Sequence, residues 1–106
     1  MNDKLKILKD LKNHLEKNST KHIVDVILFG SQATGKIKED SDFDVLIVLD
    51  DVYNRKDEDN ILDICYDIDL QYNILIDAHI ISKSEIHSLR GRQAIYYNAL
   101  THGVYA

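Results

Sequence analysis

Two aspartates separated by one residue, Asp42 and Asp44, stand at the start of an apolar run that continues to Leu49. Because residues i and i+2 of a strand point to the same face, a strand over 42–49 would project both carboxylates side by side. Like charges this close repel each other, and partly burying them is costly unless a counter-charge compensates. A divalent cation such as Mg²⁺ prefers oxygen ligands and is the natural counter-charge. The pair therefore predicts a metal site at the mouth of this strand.

A third carboxylate, Asp77, interrupts a later apolar segment at 74–81. Strand alternation places its apolar neighbours on one face of the segment and Asp77 on the other. If this segment pairs beside the 42–49 strand with its apolar face down, Asp77 lies near Asp42 and Asp44. Three carboxylates on one open sheet face can hold two metal ions, which together clamp the attacking and leaving oxygens of a phosphoryl displacement. The three aspartates are therefore the predicted metal ligands and catalytic groups.

A Gly-Ser pair, Gly30-Ser31, follows the apolar segment that ends at Phe29, and ten residues separate it from Asp42. Glycine at a strand end lets the backbone approach a phosphate closely. The N–H groups that follow, together with the Ser31 hydroxyl, can bind phosphate oxygens at the start of a short helix. Gly30 and Ser31 are therefore predicted to form the phosphate-binding end of the same site.

Apolar periodicity predicts the elements that must position these groups. Helices are predicted over 4–17, over 57–72 and, with a break near Gly91, from Ser82 to His102; strands are predicted over 22–29, 42–49 and 74–81. Ser82 and Glu85 match a capping box, and Gly103 suits a helix C-terminus. Residues 104–106 are either a last short strand or a loose tail. The alternation of helices and strands predicts an α/β (α+β) fold, a single domain over 1–106 with a small mixed sheet flanked by helices.

Three apolar faces are predicted, and the face of the 42–49 strand is expected to pack under the helices. The first helix presents Leu5, Leu8, Leu11 and Leu15; the second presents Ile61, Leu62, Cys65, Ile68 and either Leu70 or Tyr72; the 42–49 strand presents Phe43, Val45, Ile47 and Leu49. His79 shares a predicted face with Asp77, and a surface or structural role is favoured for it over a role in the site.

The composition excludes several classes of protein. The chain has 106 residues and 18 Asp and Glu against 13 Lys and Arg, which argues against direct nucleic-acid binding but permits a nucleotide held through metal ions. Cys65 is the single cysteine and is predicted to be a buried thiol, consistent with a reducing cytoplasm. The N-terminus lacks a signal-peptide pattern and no apolar stretch approaches the ~20 residues of a membrane helix. A cytoplasmic location away from membranes is therefore expected.

The spacing of Gly30-Ser31 and Asp42-Phe43-Asp44 resembles the Gly-Ser-x10-Asp-x-Asp signature of the polymerase-β-like nucleotidyltransferase superfamily, and Asp77 in ILIDAHI matches its third aspartate. The short chain and the wording GSQATGK and SDFDVLIV resemble the minimal nucleotidyltransferases of bacteria and archaea. The resemblance covers about residues 22–82 and implies a nucleotidyltransferase fold.

One position departs from the family pattern. The family often places Arg or Lys where this chain has Thr34. Lys36 or Lys38 is expected to supply the basic contact to the triphosphate instead, with Lys36 as the predicted residue.

The resemblance also implies an activity: Mg²⁺-dependent transfer of a nucleoside monophosphate, by default AMP from ATP, to a hydroxyl group, with pyrophosphate leaving. Asp42 and Asp44 would bind two Mg²⁺ ions, and Asp77 would bind the catalytic ion and help to activate the hydroxyl. Many minimal members are antitoxins encoded beside an all-helical HEPN toxin, and they can attach AMP to a tyrosine of that toxin. This pairing is the preferred biological interpretation.

At 106 residues, the chain is expected to lack the extra helical domain with which larger nucleotidyltransferases hold their acceptor. A partner protein is therefore predicted to complete the site in a hetero-oligomer, through the leucine stripe of the first helix or through Ile95, Tyr96 and Leu100. Two other interpretations stay open: transfer to a small molecule such as an antibiotic, and an antitoxin that acts by masking its partner with a vestigial site.

Overall fold

The computed structural model describes residues 3–29, 43–86 and 94–106 of the chain. Its elements, in chain order, are α1 (Asp3–Asn18), β1 (Ile23–Phe29), β2 (Phe43–Leu49), α2 (Arg55–Tyr72), β3 (Ile76–Ser82), a 3₁₀ turn (Lys83–Glu85), α3 (Ala94–His102) and β4 (Val104–Tyr105). The predicted alternation of helices and strands is confirmed, and the boundaries differ from prediction by two residues or fewer for α1, β1, α2 and β3. No helix among the described residues has the length and apolar character needed to span a bilayer.

The strands form one mixed sheet in the order β3-β2-β1-β4. β1 is antiparallel to both β2 and β4, whereas β2 and β3 are parallel. A parallel pair needs a long crossover, and α2 supplies it between β2 and β3. This arrangement confirms the predicted α+β fold, and it resolves the chain's end as a short strand, because Val104 and Tyr105 pair with β1.

The predicted helix beginning at Ser82 has a different form. Ser82 and Glu85 do make a capping box, in which the Glu85 carboxylate accepts from the Ser82 backbone N–H at 2.9 Å. The box closes a 3₁₀ turn, and the α-helix begins at Ala94. Residues 87–93, including the predicted break at Gly91, lie outside the described part of the chain.

One face of the sheet packs under α1 and α2. Phe43, Val45, Ile47 and Leu49 of β2 are at most 3% exposed, as strand alternation predicts. In α1, Leu8, Leu11 and Leu15 are fully buried, but Leu5 is 42% exposed and Ile7 is buried instead. The prediction for Leu5 was therefore wrong, since α1 packs with Ile7 turned toward the core.

The buried stripe of α2 consists of Ile61, Ile64, Cys65 and Ile68. These residues follow the i, i+3, i+4, i+7 spacing of a single helix face, so Leu62 and Leu70 fall outside it. Leu62 is 44% exposed, which corrects its predicted place on the buried face, and Leu70 is 65% exposed, which decides between the two predicted alternatives in favour of Tyr72. Tyr72 packs against the core, and Cys65 is buried as predicted.

The opposite face of the sheet is covered by α3. Ile27, Phe29, Leu46, Val48 and Ile81 pack there with Tyr96 and Ala99 of the helix. The prediction of an open face beside the carboxylates was therefore wrong over most of its length. Because Leu46 and Val48 share the face of Asp44 and are apolar, the hydrophobic effect favours covering them.

Gly103 allows α3 to lie close to β1. Its N–H donates to the Ala99 carbonyl oxygen at 2.9 Å, so it ends the helix as predicted. A Cβ atom at this position would lie 2.9 Å from the Leu28 carbonyl oxygen and closer still to the Ile27 side chain and the Ala99 carbonyl. A side chain larger than hydrogen is therefore excluded without movement of α3 or β1.

Candidate metal centre

Asp44 and Asp77 are direct neighbours on parallel strands, where they are register partners of β2 and β3. Both project from the sheet face that α3 partly covers, on the opposite side from Val45 and Ala78. Asp44 is partly buried, and the Asp77 side chain is 51% exposed. The predicted proximity of these two carboxylates is confirmed. Asp42 lies outside the described residues, and its place in the site stays a prediction.

The register of Asp44 and Asp77 depends on the connection between the end of α2 and the start of β3. Asp69, in the last turn of α2, accepts a hydrogen bond from the Ile76 N–H at 2.8 Å through its side chain. Its main-chain carbonyl accepts from Asn73, which adopts the left-handed conformation at φ 55°, and from Ile74. The Phe43 N–H then donates to the Leu75 carbonyl and ties β2 to the start of β3. Asp69 thereby fixes the backbone at Ile76, the residue directly before Asp77.

Burial raises the pKa of Asp69, while the hydrogen bond from the Ile76 N–H opposes that rise. Asp69 was not among the site residues predicted from the sequence. A signal for it exists, because an acidic side chain in the last turn of a helix is disfavoured by the helix dipole and calls for another reason to be there.

β1 ends at the same end of the sheet, because its last residue, Phe29, is the register partner of Asp44. The predicted phosphate-binding residues Gly30, Ser31 and Lys36 follow Phe29 along the chain. They lie outside the described residues, so their roles stay predictions.

His79 joins the two carboxylates. Its Nε2 lies 3.6 Å from Oδ2 of Asp77, and its side chain is 24% exposed. One ligand atom each from Asp44, Asp77 and His79 lies within 4.8 Å of the others. The ring packs beside Phe29, with centroids 5.6 Å apart, and edge-on to Tyr96, with centroids 6.5 Å apart. The structure thus places His79 in the site, whereas its sequence pattern favoured a surface or structural role.

These side chains form a donor set that fits a divalent cation. Two carboxylates side by side supply the oxygen ligands that Mg²⁺ prefers, and the exposure of Asp77 leaves room for waters or phosphate oxygens to complete the coordination. The arrangement could therefore hold a metal ion at a position open to a phosphorylated substrate.

The surfaces predicted to contact a partner are less accessible than expected. Leu8, Leu11 and Leu15 are fully buried within the chain, so Leu5, which is 42% exposed, is the member of the leucine stripe of α1 that a partner could contact. Tyr96 is 7% exposed because it packs on the sheet. Large exposed apolar side chains of the described residues include Tyr97 of α3 and, on α2, Leu62, Tyr66 and Leu70.

The chain is similar to known nucleotidyltransferases along nearly its whole length. The model of the nucleotidyltransferase domain family matches residues 8–105. Two proteins of Methanocaldococcus jannaschii, both provisionally named as protein adenylyltransferases, are related in sequence. MJ0604 is 34% identical over 98 residues, covering 92% of each chain, and MJ0141 is 35% identical over 80 residues, covering 76% of this chain and 81% of the relative.

The fold also matches a crystal structure described as a toxin–antitoxin with AMP-PNP. The TM-score is 0.60 and the sequence identity is 17%, with 92% of this chain and 69% of the other covered. Because the sequence identity is only 17%, this match establishes similarity of fold alone.

Proposed function

The chain belongs to the nucleotidyltransferase domain family, and on that premise we propose that it transfers AMP from ATP to a hydroxyl group of a partner protein. The observation that carries the proposal is the register pairing of Asp44 with Asp77, which puts two carboxylates at one end of the sheet. Asp42 is one residue before the strand that carries Asp44, and it completes the proposed set of three.

In this reaction the acceptor oxygen forms a bond to the α-phosphorus of ATP, and the bond from that phosphorus to the bridging oxygen of pyrophosphate breaks. Two Mg²⁺ ions held by Asp42, Asp44 and Asp77 would supply charge stabilisation for the attacking and leaving oxygens. We assign to Asp77 the further role of general base, whose carboxylate takes the proton that the acceptor hydroxyl loses, since this half-exposed carboxylate is accessible from solvent.

The phosphates are assigned to the segment that follows β1. Backbone N–H groups beside Gly30 and the Ser31 hydroxyl would bind phosphate oxygens, and Lys36 would pair with the triphosphate. The register partnership of Phe29 with Asp44 supports this assignment, because this segment begins one residue beyond a position paired with a carboxylate of the site.

We further propose that the acceptor is a tyrosine of a helical HEPN-type toxin and that the protein acts as its antitoxin in the cytoplasm. The M. jannaschii relatives bear the name protein adenylyltransferase, which supports a protein acceptor. The neighbour in fold is described as a toxin–antitoxin with AMP-PNP, an ATP analogue, which supports both the nucleotide and the setting. The choice of a HEPN protein and of tyrosine rests on the resemblance to minimal nucleotidyltransferases.

The test combines the purified protein with ATP, MgCl₂ and the product of the neighbouring gene, and measures AMP adducts on that product by mass spectrometry. Asp44→Asn and Asp77→Asn should each lower adduct formation by about 100-fold or more, since each removes a ligand for ions that supply several kcal/mol of charge stabilisation. Asp63→Asn is the matched control, because Asp63 is exposed on α2, away from β2 and β3.

Two results would contradict the proposal. An adduct that forms equally well in the Asp44→Asn and Asp77→Asn variants would place the chemistry elsewhere. A stable complex of the two wild-type proteins with no adduct would instead favour neutralisation by masking.

A further inference from the structure

The His79 ring is held in one orientation beside the two carboxylates. Phe29 packs against it from β1 and Tyr96 meets it edge-on from α3. Strand alternation in β3 turns His79 to the same face as Asp77, two residues earlier. The site therefore presents an imidazole nitrogen whose direction is restrained by packing, in addition to its carboxylate oxygens.

The spacing between His79 and Asp77 suits a shared ion better than a direct hydrogen bond. The 3.6 Å from Nε2 to Oδ2 exceeds the length of a normal hydrogen bond. Ligands bound to one ion at about 2.1 Å lie about 3 Å apart when adjacent and about 4 Å apart when opposite. The ligand atoms of Asp44, Asp77 and His79 lie within 4.8 Å of one another, so modest side-chain rotations bring all three onto one ion.

We propose that His79 is a ligand, through Nε2, of one of the metal ions held by Asp44 and Asp77, and that this ion position prefers a first-row transition ion such as Mn²⁺ to Mg²⁺. The inference rests on the metal-dependent reaction proposed above and names the metal class of that site. Mg²⁺ selects oxygen ligands and retains waters, whereas imidazole nitrogen suits transition ions. Mn²⁺ also accepts carboxylates, so it matches both kinds of donor present here.

The direct test is pulsed EPR of Mn²⁺ bound to the wild-type protein, without nucleotide or partner. A coordinated imidazole couples its ¹⁴N nucleus to the electron spin, and this coupling should be present in the spectrum. His79→Phe keeps an aromatic ring against Phe29 and Tyr96 and removes the nitrogen. In this variant the ¹⁴N coupling should disappear, and Mn²⁺ affinity should fall by about 10-fold or more while Mg²⁺ affinity, measured by competition, stays nearly constant.

His22→Leu is the matched control, since His22 is exposed and precedes β1, and it should retain both the coupling and the Mn²⁺ affinity. A wild-type Mn²⁺ spectrum without ¹⁴N coupling would overturn the proposal, and it does so independently of whether any variant folds. Coupling that survives in His79→Phe would also overturn it.

The measurement separates this inference from the proposed reaction. Nitrogen coupling in a protein that transfers no AMP would contradict the reaction and leave the His79 ligand in place. AMP transfer by a protein whose bound Mn²⁺ lacks nitrogen coupling would contradict the His79 ligand alone.

Discussion

The two faces of the sheet differ in the side chains that β2 contributes at the end of the sheet where Asp44 lies. Under α1 and α2 the β2 residues are buried from Phe43 to Leu49. On the α3 side Leu46 and Val48 are buried, but Asp44, the first residue of β2 on that face, is only partly buried. One strand thus contributes an unbroken core to one face and a charged site to the other. The face under α1 and α2 therefore supplies stability that allows the face under α3 to carry two carboxylates side by side.

Substitutions on the two faces of β2 and β3 should differ in how much they change the free energy of unfolding, and this is the largest expected difference. Ile47→Ala, on the closed face, should lower the free energy of unfolding by about 2–5 kcal/mol through lost burial and a cavity. Asp77→Asn should change it by less than about 0.5 kcal/mol, because that side chain is half exposed. Urea unfolding of both variants measures the difference. Equal destabilisation would mean that Asp77 is a structural residue.

Gly103→Ala tests how tightly α3 closes the site-bearing face. The added methyl group meets Ile27 and two carbonyl oxygens, so overpacking should cost about 1–3 kcal/mol in unfolding free energy. Thermal unfolding monitored by circular dichroism measures the loss. A variant as stable as the wild type would show that α3 can shift away from β1 without cost.

Asp69 links the helix layer on one face of the sheet to the strand that carries Asp77, because it lies on α2 and fixes the start of β3. Asp69→Ala leaves the Ile76 N–H without this acceptor and should lower AMP transfer by about 10-fold through a displaced Asp77. Asp69→Asn keeps an acceptor oxygen and should restore most of the rate in the same adduct assay. Equal loss in both variants would indicate that the charge of Asp69, and not its hydrogen bond, matters.

The smallest expected effect is a change in the pH dependence of stability at Asp57, which lies at the start of α2, outside the candidate metal centre. The Thr20 hydroxyl, 2.7 Å away, and then the Asn54 N–H hold the pKa of Asp57 below its ordinary value of 3.8. Its folded pKa is depressed, so the stability it contributes is present above the unfolded pKa and is lost as the pH falls through the folded pKa.

Asp57→Asn should therefore flatten the pH dependence of unfolding free energy below about pH 4, measured by urea titrations at a series of pH values. Asp63→Asn, at an exposed position of the same helix, should retain the wild-type profile. An unchanged profile in Asp57→Asn would contradict the assigned pKa.

Local patterns were sufficient to predict the first two helices and the first three strands, and to place Asp44 and Asp77 on one face if β2 and β3 pair. Strand alternation and apolar runs act over a few residues, and they place both carboxylates on one face once β2 and β3 are neighbours. The exposure of Leu5, Leu62 and Leu70 could not be predicted, since it depends on the angle at which each helix packs.

Contacts between elements distant in sequence determine three features: the covering of the Asp44 face by α3, the role of Asp69 and the role of His79. Asp69 acts through Ile76 of the next strand, and His79 is oriented by Phe29 and Tyr96 from β1 and α3. Such contacts leave no periodic signal in the sequence. Asp42, Gly30, Ser31 and Lys36 stay predictions, because they lie outside the described residues.

Asp44 and Asp77 are proposed to serve the transfer of a nucleotidyl group and not of a phosphoryl group. The direct measurement incubates the protein and the neighbouring gene product with Mg²⁺ or Mn²⁺ and either [α-³²P]ATP or [γ-³²P]ATP. Label from the α-phosphate should be retained on the partner, label from the γ-phosphate should not, and Asp44→Asn should abolish the signal. Retention of the γ-label, or an α-label that persists in Asp44→Asn, would contradict the claim.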